Sequence, residues 1–241
     1  MVYDPNINEW SISGTLPDEA VKRFLILDDK LVAPGTDPRD DWNYGSYYVF
    51  NNDSWETVRT IPNGIHNFDM LEFDGYLFAA IDVNPGSIPL VYSNDDGKSF
   101  YTVDMRKNGK TIDTNNGAFN RCIDFFIINE CLYVTYLFAY EDGSELRYEM
   151  YKYEQDGEYF EYLTSLLGKL PINTEIGNEF ILERTVYKDK AYIATCYLVF
   201  TNDMENYNVI KFPDNETVWD LYINDEKLYV LCSVKKMMKH T

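Results

Sequence analysis

Histidine and cysteine are scarce in this sequence, which contains two histidines and four cysteines among 241 residues. The cysteines all fall in predicted strands, and none forms a Cys-x-x-Cys pair. A zinc site is therefore not expected, because structural zinc needs closely spaced cysteine or histidine ligands. We interpret the cysteines as buried free thiols, and a Cys196–Cys232 bridge between neighbouring repeats is the alternative. The four residues are Cys122, Cys131, Cys196 and Cys232.

Basic residues are also few, since 21 lysines and arginines stand against 40 aspartates and glutamates, for a formal net charge of −19. Such a surface repels polyanions, so nucleic acids and anionic membranes are not expected as partners. The apolar runs are a handful of residues long, far short of the about 20 that span a bilayer. Residues 1–5 lack the basic and apolar regions of a signal peptide. Localisation stays open between the cytoplasm and, for a processed domain, secretion.

No glycine-rich phosphate loop joins a strand to a helix, which excludes nucleotide binding of the P-loop or Rossmann type. What the chain has instead is a five-fold repeat of a short apolar strand, a tight polar turn and a second apolar strand. Repeats of this kind predict a single all-β domain, a five-bladed β-propeller with four-stranded antiparallel blades. The repeated inner hairpins are expected at 24–33, 69–79, 124–134, 183–193 and 220–230.

The ring of blades is expected to close through the two ends of the chain. The fifth inner hairpin has no outer pair of strands after it, whereas the chain opens with such a pair. The N-terminal outer strands should therefore pair with the C-terminal inner hairpin. The expected blades span about 14–62, 63–105, 119–165 and 179–213, with the fifth at about 214–234 completed by 1–13.

The segment 93–100, Ser-Asn-Asp-Asp-Gly-Lys-Ser-Phe, resembles the Asp-box hairpin of sialidase-like propellers, with Ser for Thr and Phe for Trp. Its serine and aspartate can bond the turn backbone, and its glycine allows a positive φ. The resemblance implies a structural turn remote from the ligand face. Sialidase activity is not expected, because that family has six blades, an arginine triad and a Tyr/Glu nucleophile pair. No motif fixes Arg23, Arg121 and Arg184 as such a triad.

A set of acidic residues is the main candidate for chemistry. When the inner strands are aligned by their turns, four acids and one arginine occupy equivalent positions facing the central channel. They are Arg23, Asp69, Asp124, Glu183 and Asp220. Converging carboxylates would repel one another and raise one another's pKa. Three roles stay open. The acids could form structural hydrogen bonds, or they could bind a channel cation such as Ca²⁺. By resemblance to five-bladed furanoside hydrolases, Asp69, Asp124 and Glu183 could instead be catalytic, as base, pKa modulator and acid.

The loops beside the inner strands form the expected ligand face. Trp42 and Tyr44 lie in the acidic, aromatic segment 37–45, and the segment 106–120 is expected to be a second loop of this face. His66 precedes Asp69 by three residues and is interpreted as a loop histidine, since no nucleophile elbow accompanies it. Aromatic rings beside carboxylates and amides suit a sugar or a protein loop. The expected ligand-binding residues are Arg23, Trp42, Tyr44, His66 and Asp220.

The sequence thus favours a non-catalytic, monomeric binding propeller that presents its loop face to a glycan or a protein and needs no cofactor. The alternative is a glycoside hydrolase of the five-bladed furanosidase type that uses the channel carboxylates. The two differ in geometry, because a glycosidase needs its carboxylates about 5–10 Å apart in an open pocket. A structural ring would instead be filled by side chains or water.

Overall fold

The computed structural model describes residues 2–11, 14–16, 21, 23–36, 43–140, 145–154, 159–170, 183–195, 197–212 and 216–234. Within these ranges the chain forms 22 β-strands and no helix. The predicted all-β propeller class is confirmed. No helix among the described residues could cross a membrane.

Four of the expected blades are four-stranded antiparallel meanders in which each strand pairs with the next along the chain. Blade 1 contains β3 (Leu25–Leu27), β4 (Lys30–Pro34), β5 (Tyr44–Asn51) and β6 (Ser54–Pro62). Blade 2 contains β7 (Gly64–Phe73), β8 (Tyr76–Val83), β9 (Leu90–Ser93) and β10 (Tyr101–Thr102). Blade 3 contains β13 (Gly117–Ile128), β14 (Cys131–Tyr140), β15 (Leu146–Glu154) and β16 (Tyr159–Ser165). Blade 4 contains β17 (Glu183–Tyr187), β18 (Lys190–Ala194), β19 (Leu198–Thr201) and β20 (Asn208–Ile210).

The remaining strands form three short hairpins. Two of them are separate two-stranded sheets, β1 (Val2–Asp4) with β2 (Glu9–Ser11) and β21 (Glu216–Asn224) with β22 (Lys227–Val234). The third hairpin, β11 (Asp104–Lys107) with β12 (Lys110–Thr111), pairs in parallel with β16 and extends blade 3 outwards. The segment 106–120 was expected to be a loop of the ligand face. That expectation was wrong for residues 106–111, because they belong to a hairpin that pairs with the outer strand of blade 3.

All five inner hairpins turn through two residues with positive φ, the geometry of a type I′ turn. This turn matches the right-handed twist of paired strands, and it favours Asn, Asp and Gly. The turn residues are Asp28 and Asp29, Asp74 and Gly75, Asn129 and Glu130, Lys188 and Asp189, and Asp225 and Glu226. Because the turns are alike, the same register is imposed on every inner strand.

Apolar side chains fill the space between consecutive blades. Four clusters of buried residues lie between blades 1 and 2, 2 and 3, 3 and 4, and 4 and 5. Between blades 2 and 3, the ring of Phe78 contacts Phe125 and Phe160 at centroid distances of 6.4 and 5.8 Å. Such aromatic pairs contribute about 0.5–1.5 kcal/mol each beyond the area they bury. These clusters orient the inner strands toward the channel.

The junction between blades 5 and 1 differs from the other four. Within the described ranges no buried apolar cluster joins these two blades, and β1 and β2 do not pair with β21 or β22. Large apolar side chains are exposed on both sides, with Ile26 of blade 1 at 66% and Tyr222 and Leu231 of blade 5 at 66% and 61%. Closure of the ring by the N-terminal strands therefore stays a prediction.

Deletion of residues 1–13 tests that closure. If residues 1–13 close the ring, their deletion leaves the edge of β22 without a partner, so we expect aggregation or loss of a cooperative thermal transition. Differential scanning calorimetry with light scattering measures both. The substitution Ile7→Ser removes a 62% exposed apolar side chain but keeps both strands, and it should melt like the full chain. A truncated chain that also melted like the full chain would show that these strands do not close the ring.

The turn after β9 is held by side chains, as the residues of segment 93–100 predict. Asp95 accepts hydrogen bonds from the Ser99 backbone at 2.9 Å, the Ser99 hydroxyl at 2.6 Å and the Ser93 hydroxyl at 2.8 Å. The Ser93 hydroxyl also accepts from the Gly97 backbone N–H at 2.9 Å. These bonds, that from the Ser99 hydroxyl first, lower the pKa of Asp95 from 3.8 to about 2. Thr201 and Asp203 repeat part of this pattern after β19.

The Asp95→Ala variant should melt at a lower temperature than the parent chain, because it leaves the Ser99 backbone N–H and two hydroxyls without their acceptor. The folded pKa lies below the ordinary value, so the contribution of Asp95 is complete above about pH 4 and is lost as the pH falls toward 2. Thermal melts at several pH values measure both effects. Asp96→Asn is the neighbouring control, and an Asp95→Ala variant as stable as this control would contradict a structural role.

Candidate functional site

The candidate site is formed by residues at equivalent positions on or just before the five inner strands. In every blade the hairpin turn follows the last paired residue of the first inner strand, and the candidate lies four residues before that last paired residue. In blades 2, 3 and 5 a register shift next to this position bends the strand. The five residues are Arg23, Asp69, Asp124, Glu183 and Asp220. The alignment of the inner strands by their turns, including Arg23, agrees with these registers.

Asp69 is the most extensively bonded member of the site. Its carboxylate accepts hydrogen bonds from the backbone N–H of Met70 at 3.0 Å and of Phe125, on the neighbouring blade, at 2.9 Å. It also forms ion pairs with Arg23 at 3.5 Å and with Arg184. Only 1% of the Asp69 side chain is exposed. These contacts join blades 1, 2, 3 and 4 through one carboxylate.

Asp124 contacts the same two arginines. Its Oδ1 lies 3.2 Å from Nη2 of Arg23 and 3.4 Å from Nε of Arg184, and its side chain is 1% exposed. Its backbone N–H donates to the hydroxyl of Thr135 at 3.1 Å. Two buried carboxylates and two guanidinium groups are thus in mutual contact, which compensates charges that would be costly to bury alone.

Glu183 lies at the edge of this group. Its Oε1 is 3.9 Å from Nη2 of Arg23 and accepts the backbone N–H of Arg184 at 2.8 Å, while 29% of its side chain is exposed. Burial alone would lower the pKa of Arg23, but the carboxylates of Asp69, Asp124 and Glu183 raise this pKa above its ordinary value. We call these five residues the central ion cluster, which consists of Arg23, Asp69, Asp124, Glu183 and Arg184.

The central ion cluster corrects the expectation of repelling carboxylates. Arg184 was not among the expected site residues. Its guanidinium nevertheless contacts both buried aspartates and lies 5.0 Å from the ring centroid of Phe126. Its position next to Glu183 in blade 4 was the available signal. Strand alternation alone would direct neighbouring side chains to opposite faces. The contacts, rather than the pattern, reveal its role.

The other predicted site residues lie apart from the central ion cluster. Asp220 is exposed and accepts the Leu221 backbone N–H at 2.8 Å, and no ion pair of the described residues joins it to the cluster. Tyr44 is 53% exposed at the start of β5. His66 was expected in a loop but lies within β7, because the pairing of β7 with β8 extends back to Gly64, and its ring is 5.9 Å from that of Phe68. Trp42 lies outside the described residues, as does Cys196.

A metal site is not formed by the acids of the described ranges, where no group of three or more His, Cys, Asp or Glu side chains could hold an ion. Ca²⁺ is bound by oxygen ligands such as carboxylates. The carboxylate oxygens of Asp69 and Asp124, however, contact guanidinium groups. A channel cation therefore stays a prediction, and it would have to displace an arginine.

No protein-family model matches the chain, and no curated protein matches it. Among solved structures, it is similar to the α-L-arabinanase of Penicillium chrysogenum in complex with arabinobiose, at 12% identity and a TM-score of 0.51, over 88% of this chain and 71% of that one. It is also similar to Zg3597, a family 117 glycoside hydrolase of Zobellia galactanivorans, at 11% identity and a TM-score of 0.49, over 82% and 71%. The likeness to the Penicillium enzyme agrees with a propeller fold and concerns the fold alone.

Removal of one arginine tests the compensation of charge in the central ion cluster. The variant Arg184→Met leaves Asp69 and Asp124 buried with one guanidinium fewer, which should cost about 3 kcal/mol of unfolding free energy. Chemical denaturation measures this loss. Arg106→Met is the matched control, because Arg106 pairs with Asp104 at 2.6 Å where both side chains are about a third exposed, and it should cost less than about 1 kcal/mol. Equal losses in both variants would contradict a special role for Arg184.

Proposed function

We propose that this chain is a glycan-binding propeller that does not cleave its ligand, and that the central ion cluster is structural. The observation that supports this proposal is that Asp69 and Asp124, each 1% exposed, both contact Arg23 and Arg184. The same acids that would have to act on a substrate are therefore occupied by protein groups.

The chemistry of glycoside hydrolysis argues in the same direction. A retaining enzyme holds its two carboxyl groups about 5–5.5 Å apart and an inverting enzyme about 6.5–9.5 Å apart, with the sugar or a water between them. The pair that a furanosidase would use here is Asp69 and Glu183, and Arg23 contacts both carboxylates, at 3.5 and 3.9 Å. A general base must also reach its proton at hydrogen-bond distance. The ion pairs that Asp69 forms with Arg23 and Arg184, and the backbone N–H that it accepts from Phe125, oppose that contact.

A glycan is the proposed ligand because of the chemistry of four residues, Tyr44, Asp82, Phe119 and Arg121. Tyr44 and Phe119 are 53% and 37% exposed, and they offer ring faces on which a sugar can stack. Asp82 and Arg121 form an ion pair of 2.9 Å beside Phe119 and supply an acceptor and a donor. The fold likeness to an arabinanase that was solved with arabinobiose supports the same ligand class. A protein loop is the alternative occupant of this face.

Glycoside hydrolysis is the second candidate function. It is favoured by the position of Glu183, which is 29% exposed at the edge of the central ion cluster while Asp69 and Asp124 lie behind it on neighbouring blades. In this alternative Glu183 would be the general acid, Asp69 the base and Asp124 the group that adjusts their pKa values. Movement of Arg23 and Arg184 away from the aspartates would have to precede catalysis.

A combined binding and hydrolysis assay separates the two functions. We expect a glycan array to show retention of oligosaccharides, and we expect no release of sugar from arabino-oligosaccharides or aryl furanosides. The matched variants are Glu183→Gln and Asp220→Asn, of which the second alters an acid outside the central ion cluster. Turnover by the parent chain that falls at least about 100-fold in Glu183→Gln but not in Asp220→Asn would overturn the non-catalytic proposal. Selective capture of proteins with no glycan retained would contradict the ligand class.

A further inference from the structure

A second group of polar and aromatic side chains lies where blades 2 and 3 meet. Arg121 of β13 pairs with Asp82 of β8 both through the backbone and through an ion pair of 2.9 Å. The guanidinium carbon of Arg121 lies 4.8 Å from the ring centroid of Phe119 and 5.5 Å from that of Phe68. The ring of His66 lies 5.9 Å from that of Phe68. We call these five residues the junction cluster, which consists of His66, Phe68, Asp82, Phe119 and Arg121.

The junction cluster is held rigidly in place. Neighbouring residues fix the two strands, because Asn120 donates to the backbone carbonyl of Ser87 at 2.6 Å and Tyr136 donates to Asn120 at 3.3 Å. The stacking of Arg121 on Phe119 and Phe68 restricts its guanidinium to one plane. A binding group that is already ordered loses little conformational entropy when a ligand arrives.

The junction cluster contains more hydrogen-bonding groups than have partners among the described residues. An arginine offers five N–H donors, and among the described residues the guanidinium of Arg121 has one ion-pair partner, Asp82, while its buried Nε has none. The buried Nδ1 of His66 is also without a partner in this part of the chain. The side chain of Arg121 is 21% exposed and that of Asp82 is 11% exposed. The partly exposed ends of these two side chains, the terminal N–H groups of Arg121 and the carboxylate of Asp82, are therefore the groups that a ligand can reach from solvent.

We propose that the Asp82–Arg121 pair and the exposed ring of Phe119 form the primary subsite for a neutral sugar. In this subsite the Asp82–Arg121 pair binds two adjacent hydroxyls of the sugar. This proposal rests on the proposed glycan-binding function and deepens it. Each hydroxyl both donates and accepts, so two neighbouring hydroxyls can donate to the carboxylate of Asp82 and accept from the guanidinium of Arg121. The apolar face of the ring then stacks on Phe119, which is 37% exposed.

Charge selects a neutral sugar over an acidic one. The Asp82–Arg121 pair has no net charge, and the whole chain has a formal net charge of −19, which repels uronates and sulfated sugars. Burial raises the pKa of Asp82, while Arg121 and His66 oppose that rise. The carboxylate is therefore partly removed from water, which strengthens hydrogen bonds to a bound hydroxyl.

Binding by variants of the junction cluster tests this subsite. The probes are neutral arabino-, xylo-, manno-, gluco- and galacto-oligosaccharides, with oligogalacturonate as the acidic comparison, measured by glycan array and then by calorimetry. We expect Phe119→Ala and Arg121→Met each to weaken binding of the retained neutral oligosaccharide at least about 10-fold. The matched control is Arg106→Met, because Arg106 also pairs with an aspartate, at 2.6 Å, and stacks on a ring, that of Tyr159, at 4.1 Å.

The outcomes separate this inference from the proposed function. If Phe119→Ala and Arg121→Met both bind the oligosaccharide as strongly as the parent chain does, the junction subsite is overturned while glycan binding stands. A preference for oligogalacturonate would also overturn the subsite. No binding of any oligosaccharide by the parent chain would overturn the glycan-binding proposal itself. Melting temperatures are measured for every variant, and because Phe119 is partly exposed, Phe119→Ala decides the question if Arg121→Met does not fold.

Discussion

The burial of two aspartates against two arginines is the constraint on which the centre of this molecule depends. Asp69 and Asp124 come from blades 2 and 3, whereas Arg23 and Arg184 come from the starts of blades 1 and 4. Each ion is partly withdrawn from water, so the loss of any one of them leaves a charge without compensation. Four blades are thereby coupled at the channel by charge as well as by the apolar clusters between them.

Much of the fold could be predicted because turn chemistry and strand alternation are local. Pairs such as Asp74-Gly75 and Asn129-Glu130 have the residues that type I′ turns need, and the register of each inner strand follows from its turn. The position of the hairpin β11–β12 on the edge of blade 3 could not be predicted, because its parallel pairing with β16 depends on chain more than 50 residues away. Blade 4 also has its full four strands, although only Thr195, Cys196 and Tyr197 separate β18 from β19.

The site was partly predictable for the same reason. Equivalent register positions identified Arg23, Asp69, Asp124 and Glu183, which are four of the five members of the central ion cluster. Their compensation by Arg184, and the separation of Asp220 from them, depend on side-chain directions that residue order does not specify. Of the junction cluster only His66 was among the expected ligand-binding residues, because Asp82 and Arg121 lie on different blades and meet through a single backbone bridge.

A double-mutant cycle between Asp69 and Arg184 tests most directly whether the central ion cluster is structural. The free energy of unfolding is measured for the parent chain, Asp69→Asn, Arg184→Met and the double variant. A structural ion pair predicts that the double variant is less destabilised than the sum of the single variants, by about 1–3 kcal/mol, with oligosaccharide binding retained. Additive losses, or loss of binding in a double variant that folds normally, would contradict a structural cluster and assign these side chains to the ligand.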